Sequence, residues 1–135
     1  MPLISYPDRI LYLDADTLAF KDLSEMFQID LNENYILGML DYYYFGIDYL
    51  GIKSERYINA GVVLFNLKKI RNDKKYYNIL NMTINNMHLE NEDQTVLNYA
   101  LYPKIGIIPC ECPKLQKKFL QNFFYFKNLK IFSRQ

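Results

Sequence analysis

The sequence predicts an α/β domain built on a mixed, partly parallel sheet flanked by helices, and three observations carry that prediction. Short apolar runs alternate with segments of helical composition along the chain. The runs are apolar on both faces, as strands in a sheet covered on both sides must be. Aspartates stand directly after two of them, Asp14 and Asp41, and open sheets of this kind bind ligands beyond the carboxyl ends of their strands.

Each element follows in order. Arg9 to Leu13 is a short apolar run ending at Asp14 and reads as a buried strand. Ser24 reads as the N-cap of a helical turn through Phe27. Tyr35 to Leu40 is a second strand, stopping at Asp41. Tyr42 to Tyr57 is aromatic and broken by Gly46 and Gly51, which predicts a loop with a short helix. Gly61 to Leu67 has the strongest strand pattern in the chain. Lys68 to about Met87 follows with helical composition, Glu92 to Leu101 is a second helix, and Lys104 to Ile108 is a last short strand. No internal repeat or Gly/Ser-rich linker divides the chain.

A length of 135 residues suits one domain, 1–135. Half of the residues are apolar and 23% are charged, which excludes a disordered or collagen-like chain. The net charge of +1 gives no general attraction to nucleic acid. Its distribution is uneven: Lys114, Lys117, Lys118, Lys127, Lys130 and Arg134 all follow Glu111, the last acidic residue. Interleaved with them are Phe119, Phe123, Phe124, Tyr125, Phe126 and Phe132. Such a basic aromatic tail suits either peripheral contact with a membrane surface or packing of its rings on the core. Cys110 and Cys112 are too close for an unstrained bridge, and His88 alone cannot complete a zinc cage with them, so all three read as structural residues of a reducing compartment. No signal peptide is visible, and the longest apolar stretch, Ala60 to Phe65, is far too short to span a bilayer.

Three motifs carry chemistry. In Leu13-Asp14-Ala15-Asp16-Thr17, two aspartates one residue apart project to the same side if the backbone stays extended, and their oxygens can share a hard divalent cation, Mg²⁺ or Mn²⁺. The bland alternative is a solvated turn that caps the next segment. In Tyr57-Ile58-Asn59-Ala60-Gly61, Asn59 offers a donor and an acceptor to a sugar hydroxyl or phosphate, and Gly61 permits close approach of a ligand or another backbone. The same residues could equally be the turn that starts the following strand. In Asn91-Glu92-Asp93-Gln94, Asn91 and Gln94 have capping-box spacing, yet a helix start facing a carboxyl edge also presents polar groups to a ligand.

Together these segments resemble glycosyltransferase family 8, the family of bacterial lipopolysaccharide galactosyl- and glucosyltransferases and of glycogenin. Ile10 to Thr17, with Lys21-Asp22-Leu23-Ser24-Glu25-Met26-Phe27, resembles its strand, Asp-x-Asp and following turn. Tyr57 to Val62, through Asn66-Leu67-Lys68-Lys69-Ile70-Arg71, resembles its Asn-Ala/Ser-Gly block. Glu92-Asp93-Gln94-Thr95-Val96-Leu97-Asn98 resembles its Asp-Gln-Asp-x-Leu-Asn helix start. The motifs cover about residues 9–101 and leave 102–135 as a divergent basic tail. The resemblance implies a GT-A fold and a retaining, Mn²⁺-dependent transfer of a sugar, glucose or galactose, from a UDP-sugar to a glycan or lipopolysaccharide acceptor. The cysteine reading and the basic aromatic tail point to a cytoplasmic protein with peripheral contact at the inner face of the membrane. By the same resemblance Asp14 and Asp16 are metal ligands, with Ala15 beside them at the donor. Asn59 and Ala60 lie near donor sugar and diphosphate, Asp41 lies on the sugar or acceptor side, and Asp93 and Gln94 line the reacting face as the catalytic pair.

Two departures stand against the family pattern. Only Met1 to Asp8 precede the first motif strand, where the family has a long stretch forming much of the uridine pocket. Nothing after Leu101 matches the family's terminal segment with a metal-binding His and a diphosphate-binding Lys. The expectation is a truncated domain with little or no transfer activity of its own. Two other readings stay open: a catalytically inactive remnant, and a haloacid-dehalogenase-type phosphatase, which also opens on an apolar strand ending in Asp-x-Asp-x-Thr.

Overall fold

The computed structural model describes residues 6–19, 22–41, 51–85, 92–108 and 124–126. Most of the expected loop at 42–57, together with His88, Asn91, Cys110, Cys112 and the basic tail at 109–123 and 127–135, lies outside the described residues. The elements are β1 (Arg9–Leu13), β2 (Thr17–Ala19), a 3₁₀ turn (Ser24–Gln28), β3 (Ile36–Leu40), a second 3₁₀ turn (Ser54–Arg56), β4 (Ile58–Asn66), α1 (Leu67–Asn72), α2 (Tyr76–Asn85), α3 (Glu92–Leu101), β5 (Ile105–Ile107) and β6 (Phe124–Phe126).

Four strands form one sheet in the order β1-β4-β3-β5. β4 runs antiparallel to β1 and β3, whereas β5 is parallel to β3. The sheet is thus mixed and partly parallel, as the strand pattern predicts. Because β1, β3 and β5 point the same way, their carboxyl ends share one edge of the sheet with the beginning of β4. β2 and β6 add a small antiparallel ladder that the sequence pattern did not indicate.

The core lies on both faces of the sheet, which explains strands without polar alternation. Leu37 and Met39 of β3 and Val62 and Leu64 of β4 pack with Met26, Leu31 and Ile108 on one face. Ile36, Ile58 and Val63 pack on the other with Ile70, Ala100, Leu101 and Ile105, beneath α1 and α3. Ile36, Ile58, Leu64 and Leu101 have no exposed surface, and each such side chain contributes about 1.5–3 kcal/mol on burial. α2 is different: it has no buried residue, and Tyr76, Tyr77, Leu80 and Ile84 are exposed.

Several local expectations are corrected. β1 is not a buried strand. It is an outer strand of the sheet, and Ile10 and Tyr12 are 40% and 43% exposed. Ser24 does not cap its turn; it is the first residue inside it, and its N–H bonds to Asp22 Oδ1 at 2.8 Å. That bond holds the Asp22 carboxyl below the usual range. β4 begins three residues earlier than Gly61, so Asn59, Ala60 and Gly61 belong to the strand. Asn66 ends β4 and caps α1 through a bond from the Lys69 N–H.

The single helix expected from Lys68 to Met87 is two helices. Lys75 N–H bonds to Ile70 C=O and Lys74 N–H to Arg71 C=O, with Lys74 at φ +53°. This is a Schellman stop, in which the left-handed position normally falls to glycine. A lysine there leaves no signal in the sequence.

Candidate active site

At the shared edge, β4 changes its relation to β3. Gly38 faces Val63, but Met39 faces Asn59, so Ala60, Gly61 and Val62 form a bulge on β4. Bulges re-aim side chains, and this one lies in the Asn-Ala-Gly motif. Gly61 N–H bonds to Asn59 Oδ1 at 2.9 Å, and Gly61 C=O accepts from Asp14 N–H at 3.0 Å. A Cβ on Gly61 would stand 3.0 Å from both Asn59 Oδ1 and Asp14 Oδ2. Glycine here serves the close approach of the two motifs, not a special dihedral.

Gln94, in the first turn of α3, ties three segments together. Its Oε1 accepts from Asn59 Nδ2 and from the Ala60 N–H, both at 3.1 Å, and its Nε2 donates to Asp41 Oδ2 at 2.7 Å. Gln94 is 7% exposed. This side chain turns toward β4 and β3, whereas the capping-box reading needs Asn91, which lies outside the described residues. Its amide orientation follows from its partners, since only a carbonyl oxygen accepts from two N–H groups. α3 also reaches Tyr57 and Ile58. Tyr57 and Thr95 hydroxyls meet at 3.2 Å, and Asn98 bonds both backbone groups of Ile58. Asp41, half-buried just past β3, anchors its N–H on Tyr57 C=O. Asp93 is exposed, and its Oδ1 takes the Gln94 N–H at 2.7 Å.

Asp14 and Asp16 are related by a turn. Thr17 N–H bonds to Asp14 C=O at 3.0 Å, which places Ala15 and Asp16 at the two central positions. The extended backbone expected between the two aspartates is absent, so the turn and not the strand pleat sets how their carboxylates meet. Asp14 is half-buried and Asp16 exposed. Tyr12, two residues earlier on the same face of β1, donates its hydroxyl to Asp14 Oδ1 at 3.0 Å. That bond, and then the charge of Asp14, pushes the Tyr12 hydroxyl above its ordinary value. Among the described residues no Lys or Arg lies in ion-pair range of Asp14, Asp16 or Asp93. In the same turn Thr17 Oγ1 is buried without a partner among the described residues.

These features fit a hard cation in part. Two carboxylates without a neighbouring cation suit Mg²⁺ or Mn²⁺, but no group of three or more His, Cys, Asp or Glu converges among the described residues. Asp14 and Asp16 would hold the ion from one side only.

The structure brings Asp14, Asn59, Ala60, Gln94 and Asp41 into one bonded network, with Ala15 and Asp16 on the adjoining turn and Asp93 beside it. Sequence reasoning missed Tyr12, Thr95 and Asn98. Tyr12 carried a usable signal, its i, i+2 spacing to Asp14 on a strand. Thr95 and Asn98 gave none beyond their place in the helix motif.

A mixed sheet flanked by helices, with an acidic site at the carboxyl ends of its parallel strands, is the GT-A architecture of nucleotide-sugar glycosyltransferases. The crystal structure of the glycosyltransferase GlyE of Streptococcus pneumoniae TIGR4 superposes with a TM-score of 0.62 and 27% identity, over 78% of this chain and 25% of that one. The galactosyltransferase LgtC, solved in complex with donor and acceptor sugar analogs, gives 0.62 and 27%, over 77% of this chain and 40% of that one. In sequence, GlyE of S. pneumoniae serotype 4 is 32% identical over 92 residues, which are 67% of this chain. The chain belongs to glycosyl transferase family 8, whose family model matches residues 3–112. That match extends past both ends of the 9–101 motif stretch, and it removes the phosphatase reading. The chain spans about one fifth of the curated GlyE, the aligned part being 20% of its length.

Proposed function

We propose that this chain carries the donor-site core of a retaining hexosyltransferase. It moves glucose or galactose from a UDP-sugar to a glycan or lipopolysaccharide acceptor, with Mn²⁺ or Mg²⁺ held by Asp14 and Asp16. The observation that carries the reading is the Gln94 network, which gathers Asn59, Ala60 and Asp41 beside the Asp14 turn. An edge whose Asp14, Asp16 and Asp93 have no lysine or arginine in ion-pair range among the described residues suits a diphosphate-bound metal, and that metal would neutralise charge on the leaving phosphate. Asn59 and Ala60 line the donor sugar and diphosphate, and Asp41 holds the sugar through its carboxylate.

Asp93 and Gln94 line the reacting face. Both N–H donors to Gln94 Oε1 come from β4, so its lone pairs are committed to positioning and poorly placed for attack. This favours displacement on one face: the anomeric carbon leaves the phosphate oxygen, bonds the acceptor oxygen, and the acceptor proton passes to the departing phosphate. LgtC was solved with both donor and acceptor sugar analogs, which supports the partner class.

The protein is proposed to act on the cytoplasmic side, with the basic aromatic tail making peripheral contact with the inner face of the membrane. No helix among the described residues is long and apolar enough to cross a bilayer.

Calorimetry with UDP-glucose and UDP-galactose in the presence of Mn²⁺ tests the proposal, followed by a UDP-release assay. Binding of either sugar that is lost in Gln94→Ala is the expected result. Binding without turnover would single out the inactive-remnant alternative, and no binding of either sugar would overturn the donor-site reading.

A further inference from the structure

We infer that Asn98 is a positioning residue of this site: its carboxamide stands in for a neighbouring strand against Ile58 and holds the Gln94 main chain. The Gln94 side chain is thereby set where Asn59, Ala60 and Asp41 meet. The inference rests on the proposed function only in treating that place as a donor site.

β1 pairs with β4 from Val62 to Asn66 and reaches Gly61 with one last bond from Asp14. Beyond that point, on the side β1 has left, Ile58 and the Ala60 N–H find their partners on α3. Ile58 N–H bonds to Asn98 Oδ1 at 2.8 Å, and Asn98 Nδ2 donates to Ile58 C=O at 2.7 Å, the reciprocal pair that a strand neighbour would make. One helical turn earlier, Gln94 Oε1 takes the Ala60 N–H. The spacings match: four residues of helix rise about 6.0 Å, and two residues of strand rise about 6.7 Å. The 94/98 row of α3 thus continues the sheet in the direction in which β1 has stopped.

The second hydrogen of Asn98 Nδ2 goes to Gln94 C=O at 2.8 Å. Both amide hydrogens are therefore used, one on each side of the junction, and Asn98 has no exposed surface. No other side chain of this size offers two donors and an acceptor. Asp could accept from Ile58 N–H but would face two carbonyl oxygens with a carboxylate. Leu would leave the backbone groups of Ile58 without these partners. Ile58 pairs on its other edge with Leu40, the residue before Asp41. One amide consequently fixes α3 against the strand that adjoins Asp41, and Gln94 reaches Asp41 from there.

Nuclear magnetic resonance on the full chain tests this through the side-chain NH₂ signals. In the wild type, the NH₂ groups of Asn98 and Gln94 are expected to be protected from exchange and to open together. Rates differing by more than about tenfold would separate them and overturn the inference. In Asn98→Asp, with Asn98→Ser as the milder variant should the first not fold, the Gln94 NH₂ pair is expected to lose its protection. The Asn59 and Ala60 signals should move with it, while the β3–β5 and α1 amides keep their positions. An unmoved Gln94 signal, or changes spread evenly over the sheet, would reduce Asn98 to a general packing role.

The link to function is read with UDP-glucose and Mg²⁺ as probe. Asn98→Asp should weaken binding about tenfold, and should add little to Gln94→Ala, because contacts in one network are not additive. Full additivity would overturn the inference. Failure of the wild type to bind would overturn the donor-site reading and leave the Asn98–Gln94 coupling to be judged by the exchange data alone.

Discussion

Around Tyr35, where β3 begins, charges are matched within the chain. The ammonium groups of Lys69, Lys75 and Lys104 lie 5.6–5.7 Å from the Tyr35 ring centre, and Lys69 pairs with Glu33 at 2.9 Å and Asp73 at 3.6 Å. Around Gln94, where β3 ends, Asp14, Asp16 and Asp93 have no lysine or arginine in ion-pair range among the described residues, and amides do the cross-linking. A carboxylate beside ammonium groups is neutralised whether or not a ligand arrives. Carboxylates set among amides keep their charge available to a cation, at the cost of mutual repulsion. The first end ties the end of α1 to the start of β3, and the second leaves its carboxylates without such matching charges among the described residues.

The largest effect that would test this contrast is expected from removing charge at the acidic end. Losing an outer-shell partner of a metal ligand typically costs about 10–100-fold in affinity, so Asp14→Asn with Asp16→Asn should weaken Mn²⁺ binding by more than about 100-fold. Isothermal calorimetry reads this directly. Equal heats from the wild type and the double variant would remove the metal from the site, while an unchanged melting temperature would agree with charges that do not stabilise the fold.

Gln94→Ala comes next. It leaves the Ala60 N–H and Asn59 without their shared acceptor, and an orphaned buried donor costs about 1–3 kcal/mol. Urea unfolding should show that loss. A change under about 0.5 kcal/mol, the range of featureless surface positions, would mean the network carries no structural weight.

Gly61→Ala sharpens the comparison further, because its Cβ would press on Asp14 Oδ2 and Asn59 Oδ1 at once. Overpacking of this kind costs about 1–3 kcal/mol in a closed core. Asp14 is half-buried and can yield, so the lower end of that range is expected, together with weaker Mn²⁺ binding. Wild-type affinity in this variant would show that the Asp14 position is not set by the glycine.

The smallest effect belongs to the matched end and appears as a pH dependence. Tyr35 donates its hydroxyl to Asp73 at 2.7 Å, the main cause holding the Asp73 carboxyl below its ordinary value. A lowered folded-state value gives stability that is present above the unfolded carboxyl range and is lost as pH falls through the folded value. Tyr35→Phe keeps the ring for the lysines and removes that bond. The melting-temperature gap between wild type and variant should therefore be widest near neutral pH and narrow on acidification. Burial, and then the bond to Asp73, raises the Tyr35 hydroxyl, so the wild-type advantage also falls away at strongly alkaline pH. A gap constant across pH 2–8 would assign the effect to packing.

The start of β4 and the β2–β6 ladder were not legible in the sequence, whereas the places of the main-sheet strands, the order of the three motifs and the family were. These depend on local patterns: an apolar run long enough to cross a sheet, an aspartate where it stops, a helix beginning three residues after a polar cluster. The Asp-x-Asp pair was legible as a ligand motif, but its turn, closed by the Thr17 N–H on Asp14 C=O, was not. The Schellman stop at Lys74 was hidden because its left-handed position carries a lysine.

What the tertiary structure alone decided is which group each polar side chain meets. Gln94 matches a capping box by spacing, yet its partners are 34, 35 and 53 residues away, and Asn98 meets Ile58 across 40. Spacing along the chain reports the backbone state that neighbouring residues prefer. A buried amide instead bonds whatever unpaired groups the packed sheet brings to it, because leaving those groups unpaired costs more than any local preference returns. The apolar pattern of β1 was read as burial for the same reason: it records what a strand can cover, and only the sheet order shows that this one lies at the edge.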